Sequence, residues 1–292
     1  KSFQNNNIVV VGAPGTGKSL LAEETARILG IPLIQMDMRR LINKYQGESE
    51  HNMRRAIHLA EDLAPCVLLI DEIEKTFAGA GGSNEDSGVT RRNFATFLTW
   101  MQEKESACFI FATANDISSL PSEFLRRGRF DQKFYTFMPD KKECMSIFHG
   151  IICGRDGKDK KLYDSEILEE DFLNEILNYC GEKGKFMTGA DIKGIVDDAK
   201  LMIYLYSDNQ NLNSNDKVLY HSAEFRNALI KSIDQARTYG ETNMKDIVKY
   251  LLGLARNQFA PSSKNNIIDI TKINVEEMTI EDTLSSFNGY DE

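Results

Sequence analysis

Apolar residues gather into five short runs within the first 140 positions, at 8–11, 32–36, 67–70, 108–112 and 134–137. Runs that lack strict alternation suit strands covered on both faces. Helical period fills the intervals, clearly at 48–63 and again at 90–102, where Phe94, Phe97, Leu98 and Met101 recur at steps of three and four and are assigned to the core. Strands alternating with helices predict an α/β unit built on a parallel sheet. Gly79, Gly81, Gly82 and Gly88 mark residues 78–88 as a loop.

After Pro139 the pattern changes. Helical stretches follow one another near 141–152, 166–180, 189–205, 222–239 and 243–256, with no further strand expected. Loops at 154–161 and at the Asn-rich 207–217 separate them. Residues 261–292 are polar and acidic with weak periodicity, the pattern of a poorly packed tail or a partner-binding segment. The expected organisation is an α/β domain at 1–139, a smaller all-helical domain at 140–260 and an acidic tail at 261–292.

Composition narrows the function classes. The chain has 292 residues, more than one ordinary core accommodates, and its 41% apolar and 27% charged content is that of a globular protein. No apolar run approaches the roughly 18 residues of a membrane span and no secretory signal is visible, so no membrane partner is expected. The net charge of −9, without a basic tract, argues against nucleic acid as a partner. Five cysteines without C-x-x-C spacing read as buried free thiols of a reducing compartment. His51 and His58 read as surface residues of one helix. The chain starts at Lys1 and almost directly on a strand, so a preceding segment is expected.

Two motifs carry chemistry. Gly12-Ala13-Pro14-Gly15-Thr16-Gly17-Lys18-Ser19 fits G-x-x-x-x-G-K-[ST] between the first apolar run and a helix that begins around Leu20. A strand, a glycine turn and a helix start bring backbone N–H groups and the positive end of a helix dipole onto phosphates. Lys18 then reaches the β- and γ-phosphates of a nucleoside triphosphate, and Ser19 holds Mg2+. The second motif, Cys66-Val67-Leu68-Leu69-Ile70-Asp71-Glu72, is a buried strand with two carboxylates at its C-terminal end, where ligands of open α/β sheets bind. Asp71 supports the metal and Glu72 activates the attacking water; a kinase has no need of the second acid, so the pair points to hydrolysis. The competing readings are a chance glycine turn and two acids that open a solvated helix.

Further segments extend the pattern: Thr113-Ala114-Asn115, Leu125-Arg126-Arg127-Gly128-Arg129-Phe130-Asp131, Gly47-Glu48-Ser49-Glu50 and Thr188-Gly189-Ala190-Asp191. With them the chain resembles an AAA-type (AAA+) ATPase over roughly residues 8–260. Through Phe97-Leu98-Thr99-Trp100-Met101-Gln102-Glu103-Lys104 and Leu254-Ala255-Arg256 it is similar to AAA proteins of plastid and cyanobacterial genomes. The resemblance implies a P-loop NTPase parallel sheet with helices on both faces, followed by the helical domain as a lid, with ATP and Mg2+ as cofactors. It also implies that Asn115 senses the γ-phosphate and that Arg129 is an arginine finger acting on the neighbouring subunit's site. Gly189 and Ala190 become the small-residue turn near adenine and ribose. Where many relatives carry a second arginine this chain has Gln132. Tyr45 stands where polypeptide-threading members place an aromatic pore residue, and it could equally be a packed loop tyrosine.

The leading expectation is therefore an oligomeric ATPase, with a hexamer as one candidate ring size, that remodels a protein client in the cytoplasm or, for a plastid-encoded protein, the stroma. The alternative is a nucleotide-gated switch or scaffold whose slow hydrolysis only resets partner affinity.

Overall fold

The computed structural model describes residues 7–41, 48–77, 85–118, 120, 122–126, 128–154, 157–206 and 219–262. They form two units, one of residues up to Thr136 together with those from Gly253, the other from Phe137 to Leu252.

In the first unit the chain runs β1 (Ile8–Gly12), α1 (Lys18–Leu29), β2 (Leu33–Gln35), α2 (Met38–Leu41), α3 (Glu48–Asp62), β3 (Cys66–Ile70), α4 (Ile73–Phe77), α5 (Glu85–Glu103), β4 (Cys108–Ala114) and β5 (Gln132–Thr136). The strands form one parallel sheet in the order β2-β3-β4-β1-β5, closed at the β5 edge by a two-residue strand, β6 (Ala260–Pro261). β4, although fourth in sequence, lies between β1 and β3, with Val10 beside Thr113 on one side and Ile70 beside Ala112 on the other. That insertion builds the functional site. Val10, Val67, Leu69 and Phe111 from three adjacent strands pack with Ala22 and Ala26 of α1, whose small side chains let the helix lie close to the sheet.

The second unit holds α6 (Lys141–Cys153), α7 (Glu170–Glu182), α8 (Gly189–Tyr206), α9 (Ser222–Gln235) and most of α10 (Glu241–Arg256). Phe148, Phe172, Ile192, Phe225 and Leu229 centre its core. Asp140 starts α6 with a capping box: its side chain accepts from the Glu143 N–H at 2.7 Å, while the Glu143 carboxylate accepts from the Asp140 N–H at 3.1 Å. All five cysteines are buried free thiols. Among the described residues no helix is long and apolar enough to cross a membrane.

Several elements differ from the sequence expectation, among them a 3-10 helix at Lys158–Leu162 that begins inside the expected loop at 154–161. α5 begins at Glu85, inside the stretch assigned to the glycine loop, and so includes Gly88 despite the cost of about 1 kcal/mol for a helical glycine. Ahead of α7, Ser165–Leu168 is a 3-10 turn rather than the start of the helix. α9 stops at Gln235 rather than 239, where Ala236 turns extended and the Lys185 ammonium donates to the carbonyls of Ile233, Asp234 and Ala236 at the helix end. A strand also follows Pro139: β6 pairs Ala260 with Phe134 and Pro261 with Tyr135, so the chain from Gly253 belongs with the first unit and not with the helical one. Two residues, one of them proline, on an edge give no periodic signal.

Candidate functional site

β1 delivers the chain to a turn that only glycine can make at its first position. A Cβ on Gly12 would lie 2.1 Å from Thr136 Oγ1 and 2.6 Å from the Thr136 carbonyl oxygen. Gly15 and Gly17 take φ of 83° and 85°, left-handed values that side chains resist, and Gly17 is the N-cap of α1. Thr16 braces the turn, donating to the Ala13 carbonyl at 2.8 Å and meeting the Thr136 hydroxyl at 2.7 Å. Ala13 and Pro14 complete the loop, and Leu20 is half exposed on the first turn of α1.

Lys18 is buried at the start of α1. Its ammonium donates to the carbonyls of Gly12 at 2.8 Å and Ala13 at 2.9 Å, and to Asn115 Oδ1 at 2.9 Å. Burial lowers its pKa to about 8, against the opposing pull of Glu74, Asp71 and Glu72.

Asp71 and Glu72 leave the end of β3 through a turn in which Glu72 takes φ of 50°, unusual for a side chain other than glycine. Asp71 Oδ1 accepts from Ser19 Oγ at 2.9 Å and from Thr113 Oγ1 at 2.5 Å. Glu72 Oε1 accepts from Lys75 at 2.6 Å and from Asn115 Nδ2 at 3.2 Å. The Lys75 ammonium is the main reason the Glu72 carboxyl sits below the usual range, the Asn115 amide helping and partial burial opposing. Asn115 is itself fixed by its backbone N–H, which donates to the buried Glu74 carboxylate at 3.0 Å.

The structure thus brings together the phosphate loop, Ser19, Asp71, Glu72 and Asn115. Arg129 lies elsewhere. Its carbonyl accepts from the Asn7 side chain at 2.7 Å, just before β1, and Gln132 at the start of β5 pairs with Ile8 at the start of β1. The phosphate loop follows the other end of β1, about 13 Å away at roughly 3.3 Å per residue. The Arg129 guanidinium donates to the Glu123 carbonyl at 2.6 Å, its Nε is buried without a hydrogen-bond partner, and no carboxylate among the described residues pairs with it. Gly189 and Ala190 open α8 in the second unit behind a Thr188–Asp191 cap, in which Asp191 Oδ2 accepts from the Thr188 N–H at 2.8 Å and from its hydroxyl at 2.7 Å. Tyr45 and Gly47 fall outside the described residues.

Thr113, Glu74, Lys75 and Thr136 also hold the site together, without a role that follows from the sequence motifs. Lys75 could have been found from its i,i+3 spacing to Glu72 on a helix start. Thr113 and Thr136 act across strands, and no local signal marks them.

A model of the ATPase family associated with various cellular activities (AAA) matches residues 8–137. Residues 8–137 are an AAA domain. An uncharacterized AAA domain-containing protein ycf46 of Guillardia theta is 40% identical over 209 residues, 72% of this chain and 38% of that protein. Peroxisomal ATPase PEX1 of Saccharomyces cerevisiae is 30% identical over 198 residues, covering 67% of the chain and 18% of its own length. A cell division cycle protein 48 homolog of Archaeoglobus fulgidus is 32% identical over 197 residues, 67% of the chain and 25% of that protein. The chain therefore spans less than two-fifths of each of these relatives. The crystal structure of the FIGL-1 AAA domain superposes with a TM-score of 0.64 at 18% identity, covering 88% of this chain and 78% of that one, so the AAA fold is shared.

Proposed function

We propose that the chain is a Mg2+-dependent ATPase that couples ATP binding and hydrolysis, in an oligomeric ring, to the remodelling of a protein partner. The ring and the remodelling come from the family resemblance; the observation that supports the ATPase part of this reading is the Asn115 amide. Its oxygen accepts from Lys18 and its nitrogen donates to Glu72, tying the phosphate-binding cation and the candidate base to one group. Ser19 and Asp71, joined at 2.9 Å, offer hard oxygen donors suited to a small dication, so the residues fit Mg2+. When bound, Mg2+ supplies charge neutralisation at the β- and γ-phosphates.

The residues divide the work. Backbone N–H groups of the glycine turn and the start of α1 bind phosphate oxygens, and the Lys18 ammonium neutralises charge that develops on the transferred phosphoryl. Glu72, kept ionised by Lys75, is in the form that accepts a proton from water, and the Asn115 amide orients that water. Arg129 serves a neighbouring copy. Gly189 and Ala190 keep the start of α8 small for the approach of adenine and ribose, and Tyr45 grips the client; both assignments come from the family resemblance of their motifs.

Glu72→Gln tests the core of the reading. The variant is expected to retain ATP while turnover falls by about 10²–10⁴-fold, the usual worth of a positioned acid–base group. Unchanged turnover with intact binding removes Glu72 from the mechanism. Lys18→Ala is expected to abolish binding. The stabilisation of about 2.7 kcal/mol that a ligand gives at 100 times its Kd would then be seen in wild type and absent in the variant.

The contact between Lys75 and Glu72 favours a second reading, a nucleotide-gated switch with slow hydrolysis, because the ammonium competes for the oxygen that would take the proton. Turnover stimulated by an unfolded protein and lost with Tyr45→Ala supports remodelling. ATP-dependent partner binding without such stimulation supports the switch.

A further inference from the structure

We propose that Thr113 is a positioning residue for the divalent cation, one that fixes the Asp71 carboxylate and the Glu72 turn through a single buried hydroxyl. The inference rests on the ATPase reading and adds to it a residue that touches neither nucleotide nor metal.

The placement follows from strand order. Because β4 lies between β1 and β3, with Ala112 beside Ile70, the next residue of β4 stands beside the first residue beyond β3. Those residues are Thr113 and Asp71. Thr113 is fully buried, whereas Asp71 is exposed at the mouth of the site.

The direction of the hydrogen bonds is forced. A threonine hydroxyl has one proton to give and lone pairs to receive. The Glu72 backbone N–H can only donate, and it donates to Thr113 Oγ1 at 3.0 Å. An ionised Asp71 can only accept, so the Thr113 proton goes to Asp71 Oδ1 at 2.5 Å. Ser19 donates to the same oxygen at 2.9 Å. Two hydroxyls converging on Oδ1 fix the plane of the carboxylate, and among the described residues none donates to Oδ2. That oxygen is left to face a cation or one of its waters. The same hydroxyl pins the backbone N–H of the left-handed residue Glu72, so the metal-side acid and the base-side acid share one anchor.

A side chain that only filled the core would be replaced without loss by valine, which has the same shape. Losing a hydrogen bond to a charged group instead weakens what it orients by about 10- to 100-fold. The experiment measures the affinity of the full chain for ATP with EDTA and with increasing Mg2+, in wild type, Thr113→Val and Thr113→Ser, with melting curves to establish folding. In wild type Mg2+ is expected to tighten binding. Thr113→Val should keep the affinity measured in EDTA but need about 10- to 100-fold more Mg2+ for the same tightening, and Thr113→Ser, which keeps the hydroxyl, should stay within a few-fold of wild type. A normal Mg2+ response in Thr113→Val overturns the proposal, as does an equal loss in Thr113→Ser. Should Thr113→Val fail to fold, Thr113→Ala carries the same expectation and a normal response there overturns it equally. Wild-type protein that binds no ATP, or binds it without a Mg2+ response, defeats the ATPase reading itself, an outcome visible before any Thr113 variant is made.

Discussion

Lys18 shows how burial sets the working range of a single side chain. Its pKa near 8 leaves it charged at neutral pH, and phosphate binding favours the charged form. Below pH 8 the ammonium is already present and affinity for ATP should not change on its account. Above pH 8 binding must take up a proton, so affinity should weaken by up to tenfold per unit, as nucleotide titrations between pH 7.5 and 9.5 would show; a flat response to pH 9.5 would mean that Lys18 keeps its proton without phosphate. Gly12 is constrained by space and not by dihedral angle. Gly12→Ala should lower stability by roughly 1–3 kcal/mol in denaturant unfolding, the range for overpacking. Adding Thr136→Ala should restore only part of this, because the Thr136 carbonyl is also within 2.6 Å of the new Cβ. The phosphate-loop residues were legible in the sequence because they are consecutive and their spacing is their function. Thr136 was not, since it reaches Gly12 and Thr16 only through the pairing of β5 with β1.

At the scale of elements, periodicity located the long strands and helices to within a few residues but carried no information on strand order. The apolar runs of β1, β3 and β4 were visible; the insertion of β4 between the other two was not, and Asn115 and Thr113 owe their contacts to it. α6 was easier to place, since apolar residues recur through it at helical period. Asp140, three residues ahead of Glu143, closes its first turn. Asp140→Ala should cost about 1 kcal/mol, the worth of an N-cap. The loss is expected in thermal unfolding, and ATP affinity should be unchanged, because neither capping residue is among the groups assigned to the nucleotide in the phosphate loop or at the start of α8. A matching loss of ATP affinity would contradict that independence. β6 escaped the sequence reading because a two-residue edge strand has no period to detect, and its pairing had to be seen in space.

At the scale of the whole molecule, the trans role proposed for Arg129 would leave one copy nearly idle on its own. If the proposed finger acts in trans, Arg129→Ala and Glu72→Gln proteins should each be nearly idle, since an arginine finger contributes about 10³–10⁵ in rate. Mixed, they should recover hydrolysis wherever an intact Glu72 meets a neighbour's intact Arg129. Demonstrably mixed oligomers that stay idle would show that Arg129 does not act across an interface. Gln132, which holds the position of the second family arginine, has no charge with which to compensate.

β1 and β5 run parallel, and the loop bearing Arg129 enters at one end of this pair while the phosphate loop leaves at the other. Each copy would then carry a donor end and an acceptor end that cannot meet within itself. Activity would count junctions and not subunits: an open row of n copies has n − 1 working sites, and only closure into a ring supplies the last. On dilution below the assembly threshold, turnover should fall with the square of protein concentration rather than in proportion to it, while ATP binding per copy stays constant.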